Sequence, residues 1–167
     1  MRHGNGVMAV ILFLGAGCAT PSLSRRTDGE PVHHVLDAWH QAAAHSDEEG
    51  YFKLFAKEAV FLGTDGSERW TLPEFRAFAH PYFSQGKGWK FVPRSRHVAV
   101  SDDGATAWFD EALESTSYGD CRGSGVLRLE DGAWRIAQYN LSIPIPNALA
   151  KQVVQQIREP SKAPGTP

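Results

Sequence analysis

From Arg94 to Ser142 apolar and polar residues alternate with a period of two, and turn signals interrupt the alternation at 101–104, 118–120 and 131–132. This pattern predicts long antiparallel strands joined by tight connections. Asp131-Gly132 is the sharpest of these signals, because an Asp-Gly pair between alternating runs favours a two-residue hairpin and so sets a register. It places Glu130 opposite Ala133, Leu129 opposite Trp134 and Leu127 opposite Ile136. Continued without interruption, the same alternation pairs Gly125 with Gln138, Gly123 with Asn140 and Cys121 with Ser142. A turn at 118–120 sets Leu127 beside Glu111 and Gly125 beside Leu113, and the turn at 101–104 brings Val98 and Val100 to Ala107 and Phe109.

One predicted face then carries Val98, Val100, Phe109, Leu113, Leu127, Leu129, Trp134 and Ile136, a core surface. Toward its other end the same face carries Arg94, Arg96, Glu111, Cys121, Gln138 and Asn140. A sheet face apolar at one end and polar at the other predicts a pocket, although one β-bulge would transfer residues to the opposite face. That opposite face carries Trp108, Ala112, Val126, Ala137, Tyr139 and Leu141 among Asp110, Arg128 and Arg135. So much apolar surface needs a cover. A homodimer through the outer face is one solution, and a C-terminal helix near Ala148 to Ile157 folding back over it is another.

The first half has helical spacing instead. Val32, Val35, Leu36, Trp39 and Ala42 or Ala43 predict a helix over Pro31 to His45, with proline suited to its first turn. Ser46-Asp47-Glu48-Glu49 and Thr71-Leu72-Pro73-Glu74 read as capping boxes opening two further helices, the second running through Phe75, Phe78, Ala79 and Phe83. Between them Ala59 to Gly63 is a short strand ending in the turn Thr64-Asp65-Gly66. Helices followed by long strands give an α+β order, with the helices gathered against one curved sheet.

The ends change the picture of where the protein works. Residues 1–17 read as a signal peptide: Arg2 and His3 precede the apolar run Val7 to Leu14, which is too short to span a bilayer. Small residues then lead into Cys18, as in a bacterial lipobox that would make Cys18 a lipidated first residue, although Gly15 stands where a large aliphatic residue is usual. Ordinary secretion with cleavage after Ala19 is the alternative. Both routes predict a cell-envelope or secreted protein; lipidation implies the periplasmic side of the outer membrane, with the lipid as its one membrane contact. Residues 18–30 read as a flexible tether, 31–158 as a single domain and 159–167 as a polar tail. The formal net charge is −2, more negative by one once the leader removes Arg2. No basic patch interleaved with aromatics stands out, which argues against nucleic acid as a partner. Of the two cysteines, Cys121 has no partner in the chain once Cys18 is lipidated, and reads as a small, partly buried strand residue.

The hydrophobic helices from Val32, the segments Phe61 to Asp65 and Glu68 to Thr71, Trp108 to Glu111, Gly123 to Leu127 and Trp134 to Ser142 together resemble the nuclear transport factor 2-like superfamily, and within it the SnoaL-like branch. The resemblance implies a cone-shaped, strongly bent antiparallel sheet packed against N-terminal helices, with a cavity at the wide end for a small organic molecule. It implies no particular chemistry, because the scaffold serves isomerases, dehydratases, cyclases and non-catalytic binding modules alike.

Enzymes of this superfamily place a carboxylate or an Asp–His pair in the cavity as general base. Glu111 fits that role, with Asp110 as the substitute if a bulge shifts the strand, and Arg94, Arg96, Gln138 and Asn140 are the candidate ligand contacts. The competing assignment for Glu111 is a structural salt bridge closing the mouth of the cone. Trp70 either stacks on a ligand, as the resemblance implies, or plugs the core between strand and helix. The seven histidines form no metal-binding motif and read as solvated or helix-edge residues, so no metal or organic cofactor is called for. Gly123-Ser124-Gly125 lies mid-strand rather than on a nucleophile elbow, and its glycines mark sheet curvature or close approach of another strand.

Overall fold

The computed structural model describes Met1 and residues 29–159. The leader, Cys18, most of the tether and the last eight residues lie outside the described part. Three helices, α1 (Glu30–Ala44), α2 (Glu48–Phe52) and α3 (Leu72–Phe83), precede the long strands. Two short strands, β1 (Phe55–Leu62) and β2 (Arg69–Thr71), are interleaved with them. Then come β3 (Phe91–Val100), β4 (Thr106–Ser115), β5 (Gly119–Glu130) and β6 (Ala133–Ser142), and a last helix α4 (Asn147–Arg158). The six strands form one curved sheet in the order β2-β1-β6-β5-β4-β3, antiparallel throughout except where β1 lies parallel to β6. The fold is α+β, with α1 to α3 packed into the concave side of the sheet.

The core is aromatic. Val32, Leu36 and Trp39 of α1, Tyr51 and Phe52 of α2, and Phe75, Ala79 and Phe83 of α3 are buried against Phe109, Leu113, Leu127 and Ile136 of the sheet. The periodicity of α1 places its apolar stripe inward as expected. At the start of α2 the capping differs from the sequence expectation. Ser46 adopts φ +58, which turns its hydroxyl to accept from Gly88 N–H, and Asp47 becomes the N-cap by accepting from Gly50 N–H. At α3 the Glu74 carboxylate accepts from both the N–H and the hydroxyl of Thr71, as the Thr-x-x-Glu pattern predicts.

Three register details decide what faces the interior. The β5–β6 hairpin begins as expected, with Glu130 opposite Ala133, Leu129 opposite Trp134 and Leu127 opposite Ile136. Ala137 is then an extra residue on β6: Val126 pairs with Gln138, Gly125 with Tyr139 and Gly123 with Leu141. The bulge turns Tyr139 and Leu141 inward, leaving Gln138 exposed and Asn140 only half-buried. A second bulge at Arg94 in β3 keeps Arg96 inside, opposite Glu111, and turns Arg94 outward. The β4–β5 turn also falls two residues earlier than predicted, at 116–118 rather than 118–120. Ser115 pairs with Gly119, and its hydroxyl accepts from the N–H groups of Ser117 and Tyr118, so Glu111 lies opposite Gly123 rather than Leu127.

The outer face is correspondingly less apolar than the uninterrupted alternation predicts, since Tyr139 and Leu141 have left it. Trp108 remains there, 51% exposed. α4 has no buried residue. Among the described residues no helix is long and apolar enough to cross a membrane.

Candidate functional site

Glu111 enters the interior because β4 alternates strictly: Ala107, Phe109, Glu111 and Leu113 point in, and Trp108, Asp110 and Ala112 point out. It is 1% exposed, and a carboxylate that deep requires partners for both oxygens. Oε2 accepts from Arg96 Nε at 2.8 Å. Oε1 lies 2.8 Å from His40 Nε2 and accepts from the Tyr139 hydroxyl at 3.0 Å. Arg96 is held in turn by Asp37 at 2.8 Å and by the carbonyl of His33 at 3.2 Å, which ties β3 and β4 to α1.

Burial pushes the Glu111 carboxyl up, but His40 and Arg96 outweigh it and hold the group below the ordinary carboxylate value. Glu111 is therefore ionised at neutral pH and can only accept, so His40 presents a protonated Nε2 to it. Burial, followed by the charge of Glu111, raises the Tyr139 phenol well above its ordinary range and keeps it a donor. The Arg96 guanidinium is raised despite burial, because Glu111 and Asp37 flank it.

Gly123 makes the cluster possible. A Cβ at that position would lie 2.2 Å from the Tyr139 oxygen and 2.8 Å from Glu111 Oε1. Gly125 does the same for the bulge, since its Cβ would meet the Gln138 carbonyl oxygen at 2.1 Å. The close approach expected of these glycines is thus to β6 and to the Glu111 carboxylate.

Beside the cluster, between the helices and the open end of the sheet, lies a cavity of about 240 Å³. Its closed end is formed by buried Trp39, His40, Tyr51, Phe61, Phe75 and Tyr139, and Thr64, Phe78, Tyr82 and Tyr118 at its mouth are exposed. Trp70 is half-buried in the wall, its ring stacked on Phe78 at 4.8 Å and within 6.1 Å of Phe61, so it serves both the core and the cavity surface. Glu68, part-buried near the mouth, accepts from Asp65 N–H at the turn.

The other sequence candidates are distributed differently. Glu111 does not line the cavity; His40 and Tyr139 stand between it and the space. Asp110 is on the outer face beside His97 at 3.4 Å. Arg94 is exposed and paired with Glu114 and Asp120, at 2.9 and 3.1 Å. Gln138 and Asn140 do not line the cavity, for the reason of register given above. Cys121 is buried, and burial pushes its thiol up, away from reactivity. Among the described residues no group of three His, Cys, Asp or Glu side chains is placed to hold a metal ion.

His40 is buried, not at the solvated helix edge where the sequence pattern puts the histidines. Its signal is the spacing Val32–Leu36–His40, which continues the buried stripe of α1 by one turn. Tyr139 was missed because no local signal announces the bulge before it.

Comparison with known proteins places the chain firmly. A family model described as the SnoaL-like domain matches residues 32–146. No curated protein sequence matches it. Among solved structures, a candidate dehydratase of the NTF2-like family from Streptomyces avermitilis superposes with a TM-score of 0.61 at 18% identity, covering 74% of this chain and 100% of that one. An NTF2-like protein of unknown function from Pseudomonas putida KT2440 gives 0.59 at 15% identity over 71% and 87% of the two chains. A cystatin-like protein of unknown function from Nostoc punctiforme gives 0.58 at 12% identity over 71% and 92%. At these identities the likeness is one of fold.

Proposed function

The chain belongs to the SnoaL-like domain family, and on that premise we propose that it binds a small, largely apolar cyclic molecule in the cone, as a binding module of the cell envelope. The observation that carries this reading is the cavity itself: about 240 Å³ of space walled largely by aromatic rings. Sites for drug-sized ligands run from about 300 Å³ upward, so a mono- or bicyclic molecule is the appropriate size. Aromatic walls supply apolar contact and ring stacking with little entropy to lose on binding. Glu111 has no role in touching that ligand. Its two oxygens are taken by Arg96, His40 and Tyr139, which makes it the internal anchor of the site. A lipid on Cys18 would hold the domain at the membrane surface through the tether.

A second reading, cofactor-independent proton transfer of the isomerase or dehydratase kind, draws on one observation. His40 borders the cavity and is oriented by a buried carboxylate at 2.8 Å. With Nε2–H held by Glu111, the ring nitrogen left to take a proton is Nδ1, which has no hydrogen-bond partner among the described residues. In this reading His40 is the base, Glu111 fixes its tautomer, and Asp110 is uninvolved.

Calorimetric titration and native mass spectrometry with a panel of one- and two-ring compounds test the first reading. Binding should occur in the micromolar range and weaken on Trp70→Ala; absence of binding across the panel sinks it. For the second, His40→Asn should abolish turnover of a bound compound while its affinity stays within a few-fold. Unchanged turnover eliminates His40 as the base.

A further inference from the structure

The last helix has an apolar face that the domain leaves uncovered. α4 follows Ile143-Pro144-Ile145-Pro146, whose prolines offer no N–H to prolong β6, so the chain leaves the sheet before the helix starts. Within α4, Leu149, Ala150, Val153, Val154 and Ile157 recur at i, i+1, i+4, i+5 and i+8 and form one continuous stripe. The opposite arc carries glutamines with Lys151 and Arg158. Such a stripe normally lies on the core of a globular domain. Here no side chain of α4 is buried, and Leu149, Val154 and Ile157 are 49%, 43% and 71% exposed. Ile143 and Ile145, just ahead of the helix, are exposed as well.

We propose that α4 docks on a phospholipid bilayer with anionic headgroups, lying along the surface with its aliphatic stripe among the upper acyl chains. Charge complementarity favours this occupant. α4 contains two cations and no acidic residue, in a chain whose formal net charge is −2. Lys151 and Arg158 stand three and four residues from Val154, at one border of the stripe. From there their methylenes can follow the apolar side chains while their charged ends meet headgroup phosphates. A protein partner fits less well. Protein interfaces are anchored by aromatic and arginine side chains seated in matching pockets, whereas this stripe is wholly aliphatic and suits fluid hydrocarbon, which needs no matching shape. The twelve residues rise about 18 Å, short of a hydrocarbon core of about 30 Å, so the helix lies on the membrane and does not cross it. So small a stripe gives reversible docking that orients the domain without retaining it through fractionation. Such docking depends neither on the cavity's occupant nor on a lipid at Cys18.

The full chain carrying Cys18→Ser, with a polarity-sensitive fluorophore on one introduced cysteine, tests this; Cys121 is buried and stays unlabelled. Val153→Cys puts the fluorophore in the middle of the stripe and Gln152→Cys puts it on the polar arc, so the pair reports on α4 whatever the apolar leader does. On vesicles of phosphatidylglycerol mixed with phosphatidylcholine, emission from position 153 should rise several-fold and shift to the blue, while that from 152 stays near its value in buffer. The response should be several-fold weaker on phosphatidylcholine alone and should decline with added salt. Leu149→Gln combined with Ile157→Gln alters only exposed positions and should lower partitioning about tenfold. No response at 153, or equal responses at 153 and 152, overturns membrane docking, as does partitioning that survives the double substitution. An equal response on phosphatidylcholine alone overturns the anionic class. A blue-shifted signal at 153 that grows with protein concentration in the absence of vesicles gives the stripe to a second copy of the chain and overturns the membrane as its occupant.

Discussion

The Tyr139 hydroxyl donates to Glu111 Oε1 across 3.0 Å, through a space that exists only because the residue between them on β5 is glycine. Two strands that are not neighbours, β4 and β6, are thereby joined across β5. This contact links the rigid interior to the cavity, since Tyr139 belongs to both.

Gly123→Ala is therefore expected to be costly although it adds only a methyl group. Its Cβ would fall 2.2 Å from the Tyr139 oxygen, within one well-packed cluster. Overpacking combined with loss of a charge-assisted hydrogen bond predicts a destabilisation of about 2–4 kcal/mol in urea unfolding. A change below half a kilocalorie, in the roughly neutral range of surface substitutions, would show that the cluster is far more pliable than its geometry implies.

The two buried cavity tyrosines should respond oppositely to loss of the hydroxyl. Tyr139→Phe removes a donor to an ionised carboxylate and is expected to cost about 1.5–3 kcal/mol. Tyr51→Phe removes a buried hydroxyl that finds no acceptor among the described residues, although it lies near the Trp89 side chain, and is expected to be neutral or to stabilise the unliganded domain by up to about 1 kcal/mol. Parallel chemical denaturation of the two variants checks the difference.

Acid should unfold the domain partly through Glu111. Its carboxyl titrates below the ordinary value of 4.5 in the folded state, so the unfolded chain binds the proton first. The stability it contributes is present above about pH 4.5 and is lost as pH falls through the folded-state value. The unfolding free energy of the wild type should decline more steeply in that window than that of Glu111→Gln. At the alkaline end the sign reverses. Tyr51 and Tyr139 titrate well above 10.0 when folded, so the stability they contribute is present below about pH 10 and lost at higher pH.

For the amino terminus, Cys18→Ser should abolish lipid attachment and release the domain into the soluble fraction. Membrane fractionation with mass spectrometry of the mature N-terminus checks this. A wild-type protein that is already soluble and begins after Ala19 would establish ordinary secretion instead.

Local pattern determined much of this protein. The apolar stripe of α1, the Thr71–Glu74 cap, the hairpin at Asp131-Gly132 and the inward alternation of β4 all follow from short-range rules, and they lead to an α+β cone with Glu111 inside it. Hydrophobic periodicity and turn chemistry are local properties, so they are legible in a single sequence. The composition of the site was decided elsewhere. One inserted residue at Ala137 exchanged Gln138 and Asn140 for Tyr139 and Leu141, and one at Arg94 separated two arginines that plain alternation would have placed together. A bulge reverses the facing of every residue that follows it, yet nothing beside Ala137 marks it. Its cause is tertiary: Glu111 is buried and needs a donor, Gly123 leaves room for one, and only the shifted register delivers Tyr139 to that position. The meeting of His40 with Glu111, 71 residues apart in the chain, is of the same kind, because it exists only once α1 lies across the sheet.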